Sequence, residues 1–168
     1  PISRTETGTL MNAVVAQHPE CLTLGDRPLM AGALHRIDAG TSGLVLVART
    51  KDAFENVRKQ FSSQTVEKKY LALVEGRVTF GGTLENNLVH DPRLQQCKMI
   101  DIKDRIAASY GPDAFKDKAL HAVTHYNPIG YTREENEDRT LLEVTIFTGV
   151  THQIRAQLAI AGMHIIND

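Results

Sequence analysis

The stretch Leu141-Leu142-Glu143-Val144-Thr145-Ile146-Phe147 sets Leu142, Val144 and Ile146 against Glu143 and Thr145 in strict alternation. A period of two belongs to an extended chain with one face buried, so it predicts a half-buried strand. Upstream, Leu120 to Tyr126 reads as a partner strand, with an acidic hairpin tip at 133–139 that carries Glu134, Glu135, Glu137 and Asp138. Lys69 to Val74 reads as another strand ended by Gly76. The Val-rich run Gly43 to Ala48 predicts a short buried one. Strands placed this way do not alternate regularly with helices. They predict an α+β fold with a mainly antiparallel or mixed sheet flanked by helices.

Three helices are legible around these strands. Leu10, Met11, Val14 and Val15 form one apolar stripe after Gly8-Thr9, ending near His18-Pro19. Thr50 is placed to cap a second helix, whose Phe54, Val57 and Phe61 share a face. Thr151 is placed to cap a third, with Ile154, Leu158 and Ala161 on one side and Gly162 as the stop. Residues 20–34 read as a loop punctuated by Gly25, Pro28 and Gly32. Residues 80–118, with Gly81-Gly82, Asp91-Pro92 and Gly111-Pro112, read as turns joining short elements or as an insertion.

The 168 residues suit one domain over 1–168, with room for two lobes, and can bury a sizeable core. No apolar run approaches the roughly 20 residues that span a bilayer, and the polar start is unlike a secretory leader. Cys21 and Cys97 are far apart, which argues against a disulfide framework or a zinc knuckle. A cytoplasmic protein with no membrane partner is therefore expected; its oligomeric state stays open, with a monomer as the first reading. Pro1 and Asp168 read as cuts through a larger fold. The net charge of −1 opposes strong non-specific nucleic-acid binding. Residues 1–80 hold ten Lys or Arg against eight Asp or Glu, whereas 81–140 hold eight against ten. Any RNA contact must be a local patch.

The chemistry concentrates in His35-Arg36-Ile37-Asp38-Ala39-Gly40-Thr41-Ser42-Gly43. A carboxylate on a loop that feeds a strand is both fixed and exposed. The plain reading of Asp38 is a turn carboxylate serving backbone amides. The functional one is a covalent nucleophile, kept ionised by a nearby arginine. Arg155 is a candidate for that arginine, because Thr151, His152 and Gln153 just before it bring hydrogen-bonding groups to a helix start. Otherwise it is an ordinary surface arginine. Tyr70 is either a core tyrosine or a ring that stacks on an extruded base. His121 and His125 have metal-ligand helix spacing but lie in a strand and read as structural or surface residues.

The segments 35–43, 69–76 and 148–155 together resemble the signature set of the RluA-type pseudouridine synthases. Their HRLDxxTSG motif stands here as His35 to Gly43, with Ile37 in place of Leu. Their KxYxAxVxG segment includes Tyr70, and their TGRTHQIR segment stands as Thr148 to Arg155. The resemblance implies a pseudouridine synthase-like catalytic domain that converts uridine in structured RNA to 5-ribosyluracil, with no cofactor and no metal. It implies that Asp38 is the catalytic aspartate, Tyr70 the motif tyrosine and Arg155 the arginine pairing with Asp38. It also implies RNA contacts from His35, Arg36, Thr41, Ser42, Thr151, His152 and Gln153. Ribosomal RNA is the first expected substrate and transfer RNA the second.

Three departures bear on activity. Val150 stands where the family has arginine, Ala39-Gly40 replaces a charged pair, and the chain ends in Gly162-Met-His-Ile-Ile-Asn-Asp168. They motivate a rival reading, a homologue that grips RNA with weakened or lost turnover. A hydrolase using a carboxylate and histidines is a third reading, supported only by the seven histidines.

Overall fold

In the computed structural model, which describes residues 5–25, 29–91, 99–103, 105–110, 115 and 118–167, Thr9 and Thr50 each open a helix by the same chemistry. The Thr9 hydroxyl accepts from the amide of Asn12 at 3.2 Å, and the Asn12 side chain accepts from the Thr9 amide at 3.0 Å. This reciprocal box starts α1 (Leu10–Gln17). The Thr50 hydroxyl accepts from the amide of Ala53 at 3.2 Å and starts α2 (Lys51–Ser62), as its sequence predicts. The chain divides into two compact units, Pro1–Thr65 and Val66–Asp168.

The first unit holds α1, a 3₁₀ turn at Pro19–Thr23 and α2. Its small core is Met11, Cys21, Ala31 and Ala33, flanked by Val14, Val15, Met30 and Val47. Cys21 is buried there as a free thiol, whereas Cys97 and Pro28 lie outside the described residues. The expected strand at Gly43–Ala48 does not form. The segment makes one bridge, Ala33↔Val47, with Leu34 N–H donating to the Leu46 carbonyl and Ala48 N–H to that of Gly32. Leu44 is 92% exposed. Apolar, β-branched composition raises strand propensity but supplies no second strand to pair with.

The second unit is a five-stranded sheet of β1 (Lys68–Glu75), β2 (Gly82–His90), β3 (Met99–Asp101), β4 (Leu120–Glu134) and β5 (Glu137–Ile146). The strand order is β1-β5-β4-β2-β3, and every pairing is antiparallel. The hairpin β4–β5 is longer than its apolar run suggests. Its tip shrinks to Glu135-Asn136, both at positive φ (50° and 70°), the twist that suits a two-residue hairpin turn. Pro128 fits inside β4 because β2 pairs only up to Gly82↔Tyr126, so one side of the strand is open there, and a bulge lies between Pro128 and Gly130.

Alternate residues of the sheet, Ala72, Val74, Leu142, Val144 and Ile146, form the main core with Leu158 and Met163. Leu158 belongs to α4 (Gln153–Ile160), which lies over β2, β3 and β4. The short α3 (Arg105–Ala108) brings Ala107 to a satellite cluster with Val89, Ile100 and Phe115. Residues 80–118 thus hold β2, β3 and α3, the first of them a nine-residue strand. Pro92 and Gly111-Pro112 lie outside the described residues. After α4, Gly162 takes φ +76° as the predicted stop. The chain then returns along β1, with Glu75 N–H donating to the His164 carbonyl and Ile166 N–H to that of Leu73.

Candidate active site

In the first unit, the clasp between residues 32–34 and 46–48 closes the base of a loop, and the motif 35–43 lies on that loop. Gly32 allows the clasp. Its φ is +78°, and a Cβ there would collide with the Ala48 carbonyl oxygen. His35 adds a side-chain tie: its Nε2 accepts from Leu46 N–H at 3.0 Å, and its ring stacks on Phe61 of α2, with centroids 5.5 Å apart and planes at 24°. His35 therefore orients the loop through both ring edge and ring face.

The turn itself is Asp38-Ala39-Gly40-Thr41, closed by Thr41 N–H donating to the Asp38 carbonyl at 2.9 Å. Asp38 and Thr41 are half-buried, whereas Ser42 is exposed. Arg36 is exposed, and no hydrogen bond or ion pair to another described residue holds it. A structural arginine tied to loop carbonyls would look different.

In the second unit, Lys68, Tyr70, Ala72 and Val74 point to one face of β1 by alternation. Tyr70 is half-buried and packs against the edge of the main core, opposite Val144. Lys68 stands one step earlier, and its Nζ donates to the Thr148 carbonyl at 2.6 Å. Burial pulls its pKa below the ordinary lysine value. Because Thr148 leads into α4, the Lys68–Thr148 bond ties the start of β1 to the segment from which the helix begins. Arg155 is half-buried in its first turn, three residues before Leu158 of the main core. Arg155 thus lies in the first turn of α4 and Tyr70 near the start of β1, the strand whose Lys68 holds the segment before the helix.

The start of α4 departs from its sequence expectation. Thr151 is exposed and does not cap the helix. The cap position is His152, in the left-handed conformation at φ 53°, with no side-chain cap bond. Gln153 closes the start from inside. Its Oε1 accepts from the Thr148 hydroxyl at 2.8 Å and Val150 N–H at 3.2 Å. Its Nε2 donates to the Val123 carbonyl at 3.0 Å and the Thr124 hydroxyl at 3.1 Å. Gln153 is 2% exposed, and both ends of its amide bond within the protein, so it ties the start of α4 to β4. The same interior holds Gln157, bonded to Thr124 and Asn86. No sequence signal marked Gln157, whereas Lys68 fills the lysine position of the KxYxAxVxG segment. Val150 turns into the cluster of Leu88, Met99, Ala122 and Ala156, so it is a packing residue.

His121 lies 2.9 Å from Glu85 and His125 bonds Thr83 at 2.8 Å, all on the exposed face of β2 and β4. Among the described residues no group of three or more His, Cys, Asp or Glu is placed to hold a metal ion, and no helix is long and apolar enough to cross a membrane.

Residues 11–160 match the family model described as RNA pseudouridylate synthase. The chain is 35% identical over 161 residues to a ribosomal large subunit pseudouridine synthase D of Xanthomonas campestris, covering 96% of this chain and 42% of that protein. It is also 35% identical over 161 residues to an uncharacterized RNA pseudouridine synthase of Chloroflexus aurantiacus, with 96% and 44% covered. The chain thus spans less than half the length of these curated relatives. Among solved structures, human RNA pseudouridylate synthase domain containing 1 superposes with a TM-score of 0.74 at 20% identity, over 95% of this chain and 58% of that one, a likeness of fold.

Proposed function

Because the chain belongs to the RNA pseudouridylate synthase family, of the RluA type, we propose that it isomerises specific uridines to pseudouridine in RNA. The observation that carries the reading is the motif loop itself, a clasped turn that presents Asp38 and leaves Arg36 exposed. In this reading Asp38 is the carboxylate nucleophile and Arg155 the cation that keeps it ionised. Tyr70 offers its ring to the extruded base, with its hydroxyl towards the sugar. Thr41, Ser42, Thr151 and His152 contact the RNA, and His35 and Gln153 hold the segments that carry them. The isomerisation balances within the substrate: the N1–C1′ bond breaks, the uracil turns, a C5–C1′ bond forms, and the C5 proton leaves as N1 gains one.

Ribosomal RNA is the first substrate to test, since several relatives bear large-subunit names, and transfer RNA is the second. A cytoplasmic location belongs to the same proposal. Tritium release from C5-labelled uridine in ribosomal RNA tests the reaction, with Asp38→Asn as control. Turnover that disappears in Asp38→Asn, several orders of magnitude down, is the expected result. A variant that keeps more than a few per cent of turnover removes Asp38 from the nucleophile's role. The rival reading, RNA binding without turnover, draws on Val150, whose side chain is spent on core packing where the family carries arginine. Retention of RNA with no tritium release from either RNA would select it.

A further inference from the structure

We propose that Lys68 and Gln153 are positioning residues that grip the segment Thr148–Val150 from its two sides and so fix where α4 begins and where Arg155 points. The inference rests on the synthase reading for its kinetic part and stands on geometry for the rest.

The segment is a short, non-repetitive link between β5 and α4, and ordinary helix capping does not secure it: His152 makes no side-chain cap bond and Thr151 is exposed. Two side chains from different elements secure it instead. From β1, the Lys68 ammonium takes the outer acceptor, the Thr148 carbonyl, at 2.6 Å. From α4, the Gln153 amide oxygen takes the Thr148 hydroxyl and the Val150 N–H. Gln153 is itself anchored to β4 through Val123 and Thr124. Packing is close: a Cβ on Gly149 would sit 3.4 Å from Lys68 Nζ.

The sequence separations explain why this matters. Lys68 lies two residues before Tyr70 on the same strand face, and Gln153 two residues before Arg155 on the same helix. By gripping one segment between them, the two side chains link the strand that carries Tyr70 to the helix turn that carries Arg155. A half-buried ammonium also costs more to keep charged than an exposed one, and that partial burial lowers the Lys68 pKa.

The test compares Lys68→Met, Lys68→Arg and Lys68→Gln with wild type in the intact protein, reading kcat, KM for RNA and amide hydrogen exchange. Met keeps the aliphatic stem and loses the donor, Arg keeps donor and charge, and Gln keeps a donor without charge. Lys68→Met should lower kcat by roughly 10- to 100-fold with KM little changed, the scale of a misplaced catalytic group. Lys68→Arg should restore most of it, and Lys68→Gln should fall between. In Lys68→Met the Val150 and Gln153 amides should lose about tenfold in protection while those of β4 and β5 keep theirs. A rise in KM with kcat unchanged would make Lys68 an RNA contact and overturn positioning. Unaltered exchange at Val150 and Gln153 would overturn it too, whatever the activity. If wild type releases no tritium from any RNA, the synthase reading fails, and the exchange data decide the Lys68 grip alone. Should Lys68→Met not fold, the Lys68→Gln exchange pattern and kcat decide by the same criteria.

Discussion

The Thr124 hydroxyl donates to Gln157 Oε1 at 2.6 Å, and both side chains are wholly buried. The same Gln157 shares its two amide hydrogens among the Leu84 carbonyl at 3.0 Å, Asn86 Oδ1 at 2.9 Å and the Ala122 carbonyl at 3.0 Å. One side chain of α4 therefore ties β2 and β4 together beneath the helix. With Gln153 one turn earlier, it makes the contact between helix and sheet partly polar and directional. An apolar face would let the helix slide, whereas a satisfied amide has one position.

Replacing Gln157 with leucine should destabilise the second unit by about 2–4 kcal/mol, although leucine is apolar and of similar size. The loss comes from buried partners, Thr124 and Asn86 above all, that leucine leaves unsatisfied. Urea unfolding of Gln157→Leu, Thr124→Val and the double variant measures it. The double variant should cost clearly less than the sum, because each single change orphans the other's group. Additive losses would show that the two side chains do not act as a pair.

The clasp beneath the Asp38 loop predicts a second stability effect. Gly32→Ala must place a Cβ at φ +78° and against the Ala48 carbonyl. The backbone conformation alone costs of order 1–3 kcal/mol. The Ala48 amide, which donates to the Gly32 carbonyl at 2.9 Å, should lose hydrogen-exchange protection as the clasp opens. Product formation should fall with it. Wild-type protection at Ala48 in the variant would show that the clasp tolerates a side chain.

Which parts of this fold could be read in advance follows from what a side chain reveals by type. The strand β5 was legible because its inward positions are apolar and its outward ones polar, and α2 because Thr50 and the Phe54–Phe61 stripe agree. Strand β2 was not, because its inward row is Leu84, Asn86 and Leu88, and the middle member is a polar residue that Gln157 satisfies. Gln153 read as a substrate-facing group and Gln157 drew no reading for the same reason: burial of an amide depends on partners far away in sequence. The Gly43–Ala48 run erred in the other direction, since its composition implied a partner that no described strand supplies. For the site, the motif loop and the Thr148–Arg155 segment were legible as patterns. The left-handed His152 and the Lys68–Thr148 contact depend on tertiary geometry and left no trace in spacing.

Tyr70 stands at the edge of the core with its ring half-buried, which sets up a separation of hydroxyl from ring. Tyr70→Phe keeps the packing and the stacking face, so RNA affinity should hold within about twofold. If the hydroxyl moves a proton during the reaction, kcat should drop by roughly 10²–10⁴-fold. Tyr70→Ala should lose affinity as well. Full turnover in Tyr70→Phe would restrict the residue to stacking and packing.

Lys68 also gives the stability a pH dependence with a definite sign. Burial lowers its folded pKa beneath the unfolded value. Between those two values the unfolded chain binds more protons, so stability rises with pH across that window and is lowest below it. Lys68→Met removes this contribution. Urea midpoints for both proteins, taken from neutral pH up to the ordinary lysine range, should show a gap that widens with pH in favour of wild type. Parallel curves would mean that the lysine titrates alike in both states.

The last prediction concerns Arg36, exposed beside the turn of Asp38 and held by no other described residue. An arginine bonded to loop carbonyls would be part of the scaffold, and its loss would loosen the loop. One projecting into solvent keeps its donors for a phosphate, or for the gap an extruded base leaves, where it would offset a few kcal/mol of unstacking. Val150 makes this charge more telling, since that side chain lies in the cluster with Leu88 and Ala156 and offers no cation of its own. Arg36→Ala should therefore leave thermal stability within about 0.5 kcal/mol of wild type, as surface substitutions do. It should raise KM for RNA several-fold and, if a phosphate contact is lost, reduce the slope of log K against log salt by about one. Unchanged affinity and slope in a folded Arg36→Ala protein would take Arg36 out of the RNA interface.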